Sequence, residues 1–359
     1  MQRGGIRWHN CGMAKKRSLP SLNEISREIG ISAATISRVL NGRPGIAEKM
    51  RARVLSALEE RGYPKKPVKG GFQTLRNGSS TVAFAITKKI RGLIEQGDPF
   101  YGRHLLAMQS ACSQMGYYPI LVDFEQDATP EGSLRCVEEQ RVHGVIAEHM
   151  PTELAEKLRK QVGVVLLNIV APVSGVDYVI PDIRQAAREQ VQYLYDLGHR
   201  SIACFRSLPG GWQNHFYWSE FWWMNIHLGL DLPGEFFAPI RFDLNEEREA
   251  IQSFLDRVLA VSRPPTAIVT GDYYAPILIE ECQKRGCSVP DDISIMGFDD
   301  RNPTNGPVTL STYRQNFEGM AREGLRLLID RCENPDLPSR MVEVEGRLIH
   351  RNSVARPRA

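Results

Sequence analysis

Ala33, Ala34, Ser37 and Arg38 stand on one side of an eight-residue segment whose opposite side carries Ile36, Val39 and Leu40. An arginine so placed can donate two hydrogen bonds to a guanine edge, and an alanine methyl can meet the methyl of thymine. Ser32, Thr35 and Asn41 border that surface, where short polar side chains suit phosphate oxygens. The same small polar surface would cap any three-helix domain, so base reading and plain solvation are both open on these residues alone.

The charge distribution favours the first. Residues 1–78 hold 16 Lys and Arg against 5 Asp and Glu, whereas the remainder holds 29 against 37. The overall charge of +3 therefore averages a basic arm and an acidic body, and points to a polyanionic partner for the arm only. No competing chemistry is visible. The chain has no GxGxxG, P-loop, GxSxG or HExxH pattern. Its eight histidines show no metal-ligand spacing, and His143, His199 and His227 read as surface or helix-end residues rather than bases. Seven scattered cysteines without a CxxC pair read as reduced thiols. No catalytic residue, metal or cofactor is expected. No apolar run is long enough to span a membrane, and the first residues lack the apolar stretch of a signal peptide, so a cytoplasmic location is expected.

The elements that would hold the reading surface can be traced around it. Ser21 and Glu24 make a capping box for a first helix with Leu22, Ile25 and Ile29 on one face. Gly30 stops it, Ser32 caps the second helix over 33–40, and the breaker run Asn41-Gly42-Arg43-Pro44-Gly45 precedes a third over about 48–60. Helix, turn and helix in this order is the pattern that sets a recognition helix into the major groove. Residues 64–80 form a basic linker rich in Pro and Gly. Beyond it, apolar runs at 82–86, 120–122, 144–146, 164–167, 202–205, 267–269 and 293–296 alternate with helical patterns at 101–115, 183–197, 246–259 and 276–285. Such alternation predicts a doubly wound parallel sheet, and the length suffices for two.

Gly30-Ile31-Ser32-Ala33-Ala34-Thr35-Ile36-Ser37-Arg38-Val39-Leu40-Asn41-Gly42 strongly resembles the headpiece of the LacI/GalR family of bacterial transcription repressors. Asp98-Pro99-Phe100-Tyr101, Leu197-Gly198-His199-Arg200-Ser201-Ile202-Ala203, Val289-Pro290-Asp291-Asp292-Ile293-Ser294-Ile295-Met296-Gly297-Phe298-Asp299-Asp300 and Leu348-Ile349-His350-Arg351-Asn352-Ser353 continue the resemblance in order. It implies a small all-α helix-turn-helix headpiece and an α/β periplasmic-binding-protein-like body of two doubly wound subdomains. It also implies Ser32, Ala33, Ala34, Thr35, Ser37, Arg38 and Asn41 at the DNA. Leu75 is the candidate wedge of a hinge helix entering the minor groove, although Gly70-Gly71 weakens that helix and the leucine lies about two residues further from Tyr63 than the pattern expects.

By position, the resemblance places Phe100, Asn168, Asp182, Asp272, Asp299, Gln315 and Phe317 around an effector cleft. Asp299 is the strongest of these, since it follows a strand. Asp182 and Asp272 could equally cap the helices after them. Two departures stand out: Tyr217 and Glu220 replace the arginine and glycine of Arg-x-x-Gly-Phe, and Gly271-Asp272 replaces Asn-Asp. Trp212, Trp218, Trp222 and Trp223 crowd around Tyr217. Tyr217 and one tryptophan are expected to line the cleft, Phe221 and Trp222 to enter the core.

The resemblance implies a sequence-specific DNA-binding transcriptional regulator, by family default a repressor, controlled allosterically by a sugar-like ligand. Its partners would be a near-palindromic operator, a small effector and a second copy in a homodimer, with no membrane. A solute-binding protein of a transport system is the alternative. Residues 1–20 are expected as a disordered extension, 21–63 as the headpiece, 64–80 as the hinge, 81–353 as the body and 354–359 as a tail.

Overall fold

The computed structural model describes residues 22–40, 46–60, 80–124, 137, 142–168, 172–206, 214–231, 233–236, 246–301 and 304–358. Ser21, Asn41, Trp212, the 64–79 linker and its Leu75 lie outside the described residues. The chain divides into two units, residues 1–73 and 74–359.

In the first unit, α1 (Leu22–Ile29), α2 (Ala33–Leu40) and α3 (Glu48–Glu60) are each too short to persist alone. They share a core of Ile25, Ile31, Ile36, Val39, Val54 and Leu58. Gly30, at φ 65°, takes the left-handed conformation that ends α1. Its amide donates to Ser26 O at 3.1 Å. Arg53 Nη2 donates to the Ile29 carbonyl at 3.2 Å, tying α3 to the end of α1.

The second unit contains two sheets. The first runs β12-β5-β4-β3-β1-β2, every pair parallel. Its strands are β1 (Thr81–Thr87), β2 (Tyr118–Phe124), β3 (Gly144–Glu148), β4 (Gly163–Leu167), β5 (Asp177–Pro181) and β12 (Met341–Val344). The helices α4 (Lys88–Glu95), α5 (Pro99–Met115) and α6 (Thr152–Leu158) follow its strands. The second sheet runs β13-β11-β8-β7-β6. It is built from β6 (Ile202–Phe205), β7 (Ala267–Thr270), β8 (Ser294–Phe298), β11 (Ser311–Arg314) and β13 (Arg347–Ile349). Only β13 runs antiparallel there. Its helices are α7 (Ile183–Asp196), α8 (Asn214–His227), α9 (Glu247–Leu259) and α10 (Ala275–Lys284). A short ribbon, β9 (Thr304–Asn305) with β10 (Val308–Thr309), lies apart from both.

The chain crosses between the halves three times: from β5 to α7, from β11 to α11 (Phe317–Glu333), and from β12 to β13. Helix α11 packs on the first sheet through Phe317, Met320, Ala321, Leu325 and Leu328. Segment 354–358 is docked: Ala355 N donates to Ser294 Oγ at 3.0 Å and Arg358 pairs with Asp292 at 2.6 Å.

Three expectations are corrected by packing. His143 and His199 are buried rather than superficial, and burial pushes His143 down to about 4. His199 sits between Thr266 Oγ1 at 2.8 Å and the Ala355 carbonyl at 2.9 Å. Trp222 is 53% exposed and Trp223 50%, because α8 turns Tyr217, Phe221 and Met224 inward instead.

Candidate functional site

Helix α2 forms over Ala33–Leu40, the segment that carries most of the residues expected at the DNA. Ser32 Oγ accepts from Thr35 N at 3.1 Å and lies 2.8 Å from Thr35 Oγ1, so the two border residues also form the cap of the helix. Ser32 is exposed, Ala33 and Thr35 half-buried. Ala34, Ser37 and Arg38 belong to the same helix.

In the body, the C-terminal ends of strands from both sheets converge, the place where open α/β sheets bind ligands. All four non-glycine residues with positive φ among the described residues lie just past such ends: His149 after β3, Asn168 after β4, Asp299 and Asp300 after β8. Backbone held in this region costs energy and concentrates at functional sites.

From the first half, Asn168 Nδ2 donates to Glu148 Oε1 at 3.1 Å, and His104 Nδ1 lies 2.8 Å from Glu148 Oε2. Burial opposes the Glu148 charge, but the adjacent His104 and the Asn168 amide hold its carboxyl below the usual range. The His104 ring stacks on Phe317 at 4.8 Å, and Phe317 meets Phe100 edge-on at 4.9 Å. Phe100 and Tyr101 begin α5, whose cap is Asp98, accepting from their amides at 2.9 and 3.2 Å.

From the second half, Asp272 Oδ1 accepts from Thr312 Oγ1 at 2.7 Å and its Oδ2 from Arg301 N at 2.8 Å. Burial and the charge of Asp299 push Asp272 up to about 7. Asp299 accepts from Gln315 Nε2. Burial raises it to about 6, against the pull of Arg206 and Arg301. Asp300 instead anchors Arg314 and Arg351 at 2.6 and 2.7 Å.

Arginines bridge the two halves. Arg301 Nη2 lies 2.7 Å from Asp98 Oδ2, and its guanidinium stands over the rings of Phe100 at 5.4 Å and Tyr101 at 5.1 Å. In the reverse direction, Arg103 donates to the Asp300 carbonyl. A pocket of about 430 Å³ opens beside the bridge between Asp98 and Pro99 on one side and Asp272, Tyr273 and Pro276 on the other.

The structure thus brings Phe100, Asn168, Asp272, Asp299, Gln315 and Phe317 to the facing ends of the two sheets. Asp182 stands at the first crossover and caps α7, accepting from Gln185 N at 2.8 Å. Tyr217 is fully enclosed in the core, its hydroxyl donating to Gln190 Oε1 at 2.6 Å. Glu220 pairs with Arg188 of α7 at 3.0 Å. Sequence reasoning missed Glu148, His104, Arg301 and Arg206. The first and last of these directly end or follow strands, which was the one available signal.

Similarity searches agree with this geometry. The profile described as bacterial regulatory proteins, lacI family, matches residues 21–65, and that of the periplasmic binding protein-like domain matches residues 191–354. The HTH-type transcriptional repressor CytR of Escherichia coli (strain K12) is 24% identical over 345 residues, covering 94% of this chain and 97% of the relative. Catabolite control protein A of Priestia megaterium is 27% identical over 340 residues, covering 93% and 98%. Among solved structures, a complex of the transcriptional regulator CelR with cellobiose covers 93% of this chain and 99% of that one at 23% identity, with a TM-score of 0.65. The lac repressor dimer bound to operator and the anti-inducer ONPF covers 94% and 100% at 18% identity, with a TM-score of 0.60. At these identities the solved structures establish likeness of fold. No helix among the described residues is long and apolar enough to cross a membrane.

Proposed function

Because the chain belongs to the lacI family of bacterial regulatory proteins, we propose that it represses transcription by binding an operator whose affinity is set by a small ligand in the body. Helix α2 would enter the major groove with Ala33, Ala34, Ser37 and Arg38 at base edges and Ser32, Thr35 and Asn41 on phosphates. Leu75 would wedge into the minor groove at the operator centre. Two headpieces of a homodimer would meet the half-sites of a near-palindromic operator. The lac repressor structure, a dimer on its operator, supports that assembly.

The ligand would sit among Phe100, Asn168, Asp272, Asp299, Gln315 and Phe317, with Tyr217 and Asp182 behind and beside them. The cellobiose bound by CelR supports a sugar-like effector. A ligand that prefers one arrangement of the halves shifts their equilibrium about the three crossovers, and operator binding shifts with it.

One observation carries this reading: a helix-turn-helix unit shares a chain with a body whose strained, polar strand ends face each other. A gel shift on DNA from around the protein's own gene, across a salt series, tests it. A specific band that weakens steeply with salt is expected, and its absence overturns the reading. Arg38→Ala should cost about 1–3 kcal/mol and relax discrimination at one base pair. A uniform loss over all sequences would place Arg38 on phosphate.

A further inference from the structure

Arg206 follows β6 at the ligand end of the second sheet. It is 9% exposed. Its guanidinium lies 4.0 Å from the centre of the Tyr217 ring and 4.6 Å from that of Phe298. Among the described residues it makes no ion pair, and its Nη1 has no hydrogen-bond partner. The other enclosed arginines are neutralised: Arg331 by Asp177 at 2.7 Å, Arg351 by Asp300 at 2.7 Å, Arg301 by Asp98 at 2.7 Å. The one opposite charge acting on it among the described residues, Asp299, makes no direct ion pair with it, so a desolvated guanidinium at a strand end suits an anion from outside the chain.

Two further polar atoms of this half are buried and unpartnered among the described residues: Gln315 Oε1, an acceptor, and Thr270 Oγ1 at the end of β7. A cation beside an acceptor and a hydroxyl suits a molecule with an anionic group at one end and hydroxyls at the other. Asp299 narrows the choice. It interacts with Arg206, and when ionised it repels a dianion more strongly than a monoanion.

We propose that the effector is a sugar acid, its carboxylate held by Arg206 and its hydroxyls by Gln315 and Thr270. This rests on the ligand-controlled repressor reading and names the ligand class of the same cleft.

Calorimetric titration and thermal shift of the full chain test it with D-gluconate, D-glucuronate and D-galacturonate, against D-glucose and glucose 6-phosphate. At least one acid should bind and raise the melting temperature while D-glucose does not. Arg206→Gln should weaken that acid by at least about 30-fold, and Arg206→Lys should restore part of the affinity. Without ligand, Arg206→Gln should melt no lower than the parent, since it removes an unpaired buried charge. A melt several degrees lower would make Arg206 structural and overturn the proposal. It is also overturned if no acid binds at 10 mM-scale concentrations, if Arg206→Gln binds the acid unchanged, or if only glucose 6-phosphate binds. Binding of D-glucose with altered operator affinity would overturn the acid alone and leave the repressor reading intact. Loss of operator binding in the parent chain would overturn that reading instead.

Discussion

Asp272 and Asp299 keep protons that free aspartates release near pH 3.8. Burial makes this so, joined at Asp272 by the charge of Asp299, and close packing creates the burial. Gly297 has no Cβ, and one built there would lie 2.0 Å from Asp272 Oδ1, so the glycine of Gly297-Phe298-Asp299-Asp300 is what lets Asp272 reach Thr312. With Asp272 pushed up to about 7, the folded body holds a proton that the unfolded chain has lost between about pH 4 and 7. Stability therefore falls as pH rises through that window and levels off above it. Asp272→Asn keeps the shape: its single oxygen can accept from Arg301 N, and its amide can donate to the Thr312 hydroxyl, which reverses its role. The parent melting temperature should drop between pH 5 and pH 8 by more than the variant's. Parallel melting profiles would mean that Asp272 does not hold the proton.

At the scale of elements, legibility followed burial pattern. Runs such as Val82–Ile86 and Val164–Leu167 are enclosed on both faces, so continuous apolar sequence marks them as parallel strands. Strand β12, Met341–Val344, is largely exposed or half-buried and exists because it pairs with β5, a partner far away in sequence. Helix α11 contains Gly319 and Gly324, which read as breakers, yet a Cβ on Gly319 would lie 2.8 Å from Val344 and one on Gly324 3.4 Å from Leu167. Its glycines permit close seating on the first sheet. Asp299 was legible from the strand before it, whereas the Glu148–His104 pair and Arg301–Asp98 join distant segments and carry no local signature. The headpiece was the most legible element, since its periodicity, the Ser32 cap and the Gly30 stop all agree. Its whole core is a handful of side chains, so removing one should matter. Ile36→Ala costs about 2–5 kcal/mol in a packed core, most of what so small a domain has. Operator binding should vanish while the thermal transition of the body stays in place. A shifted body transition would show that the two units do not unfold independently.

In the mechanism proposed for the body, the arrangement of the two halves is what a ligand would bias, and the chain connects those halves at three crossovers. Arg301 with Asp98 and Arg103 with Asp300 bear on it because each pair joins the halves. The Arg301 and Asp98 side chains are only 15% and 13% exposed, so their attraction is screened less than that of a surface pair, which contributes about 0–1 kcal/mol. Asp98→Asn keeps the cap of α5, and Arg301→Met keeps the apolar stem against Phe100 and Tyr101. Each should lower the stability of the body and speed amide exchange at the start of α5. Together they should cost less than the sum of the two, with a coupling of about 1–3 kcal/mol. The ligand that favours the closed halves should bind each variant more weakly, since it must now supply closure that the arginine supplied before. Simple additivity, with unchanged exchange in α5, would show that this pair does not hold the halves together.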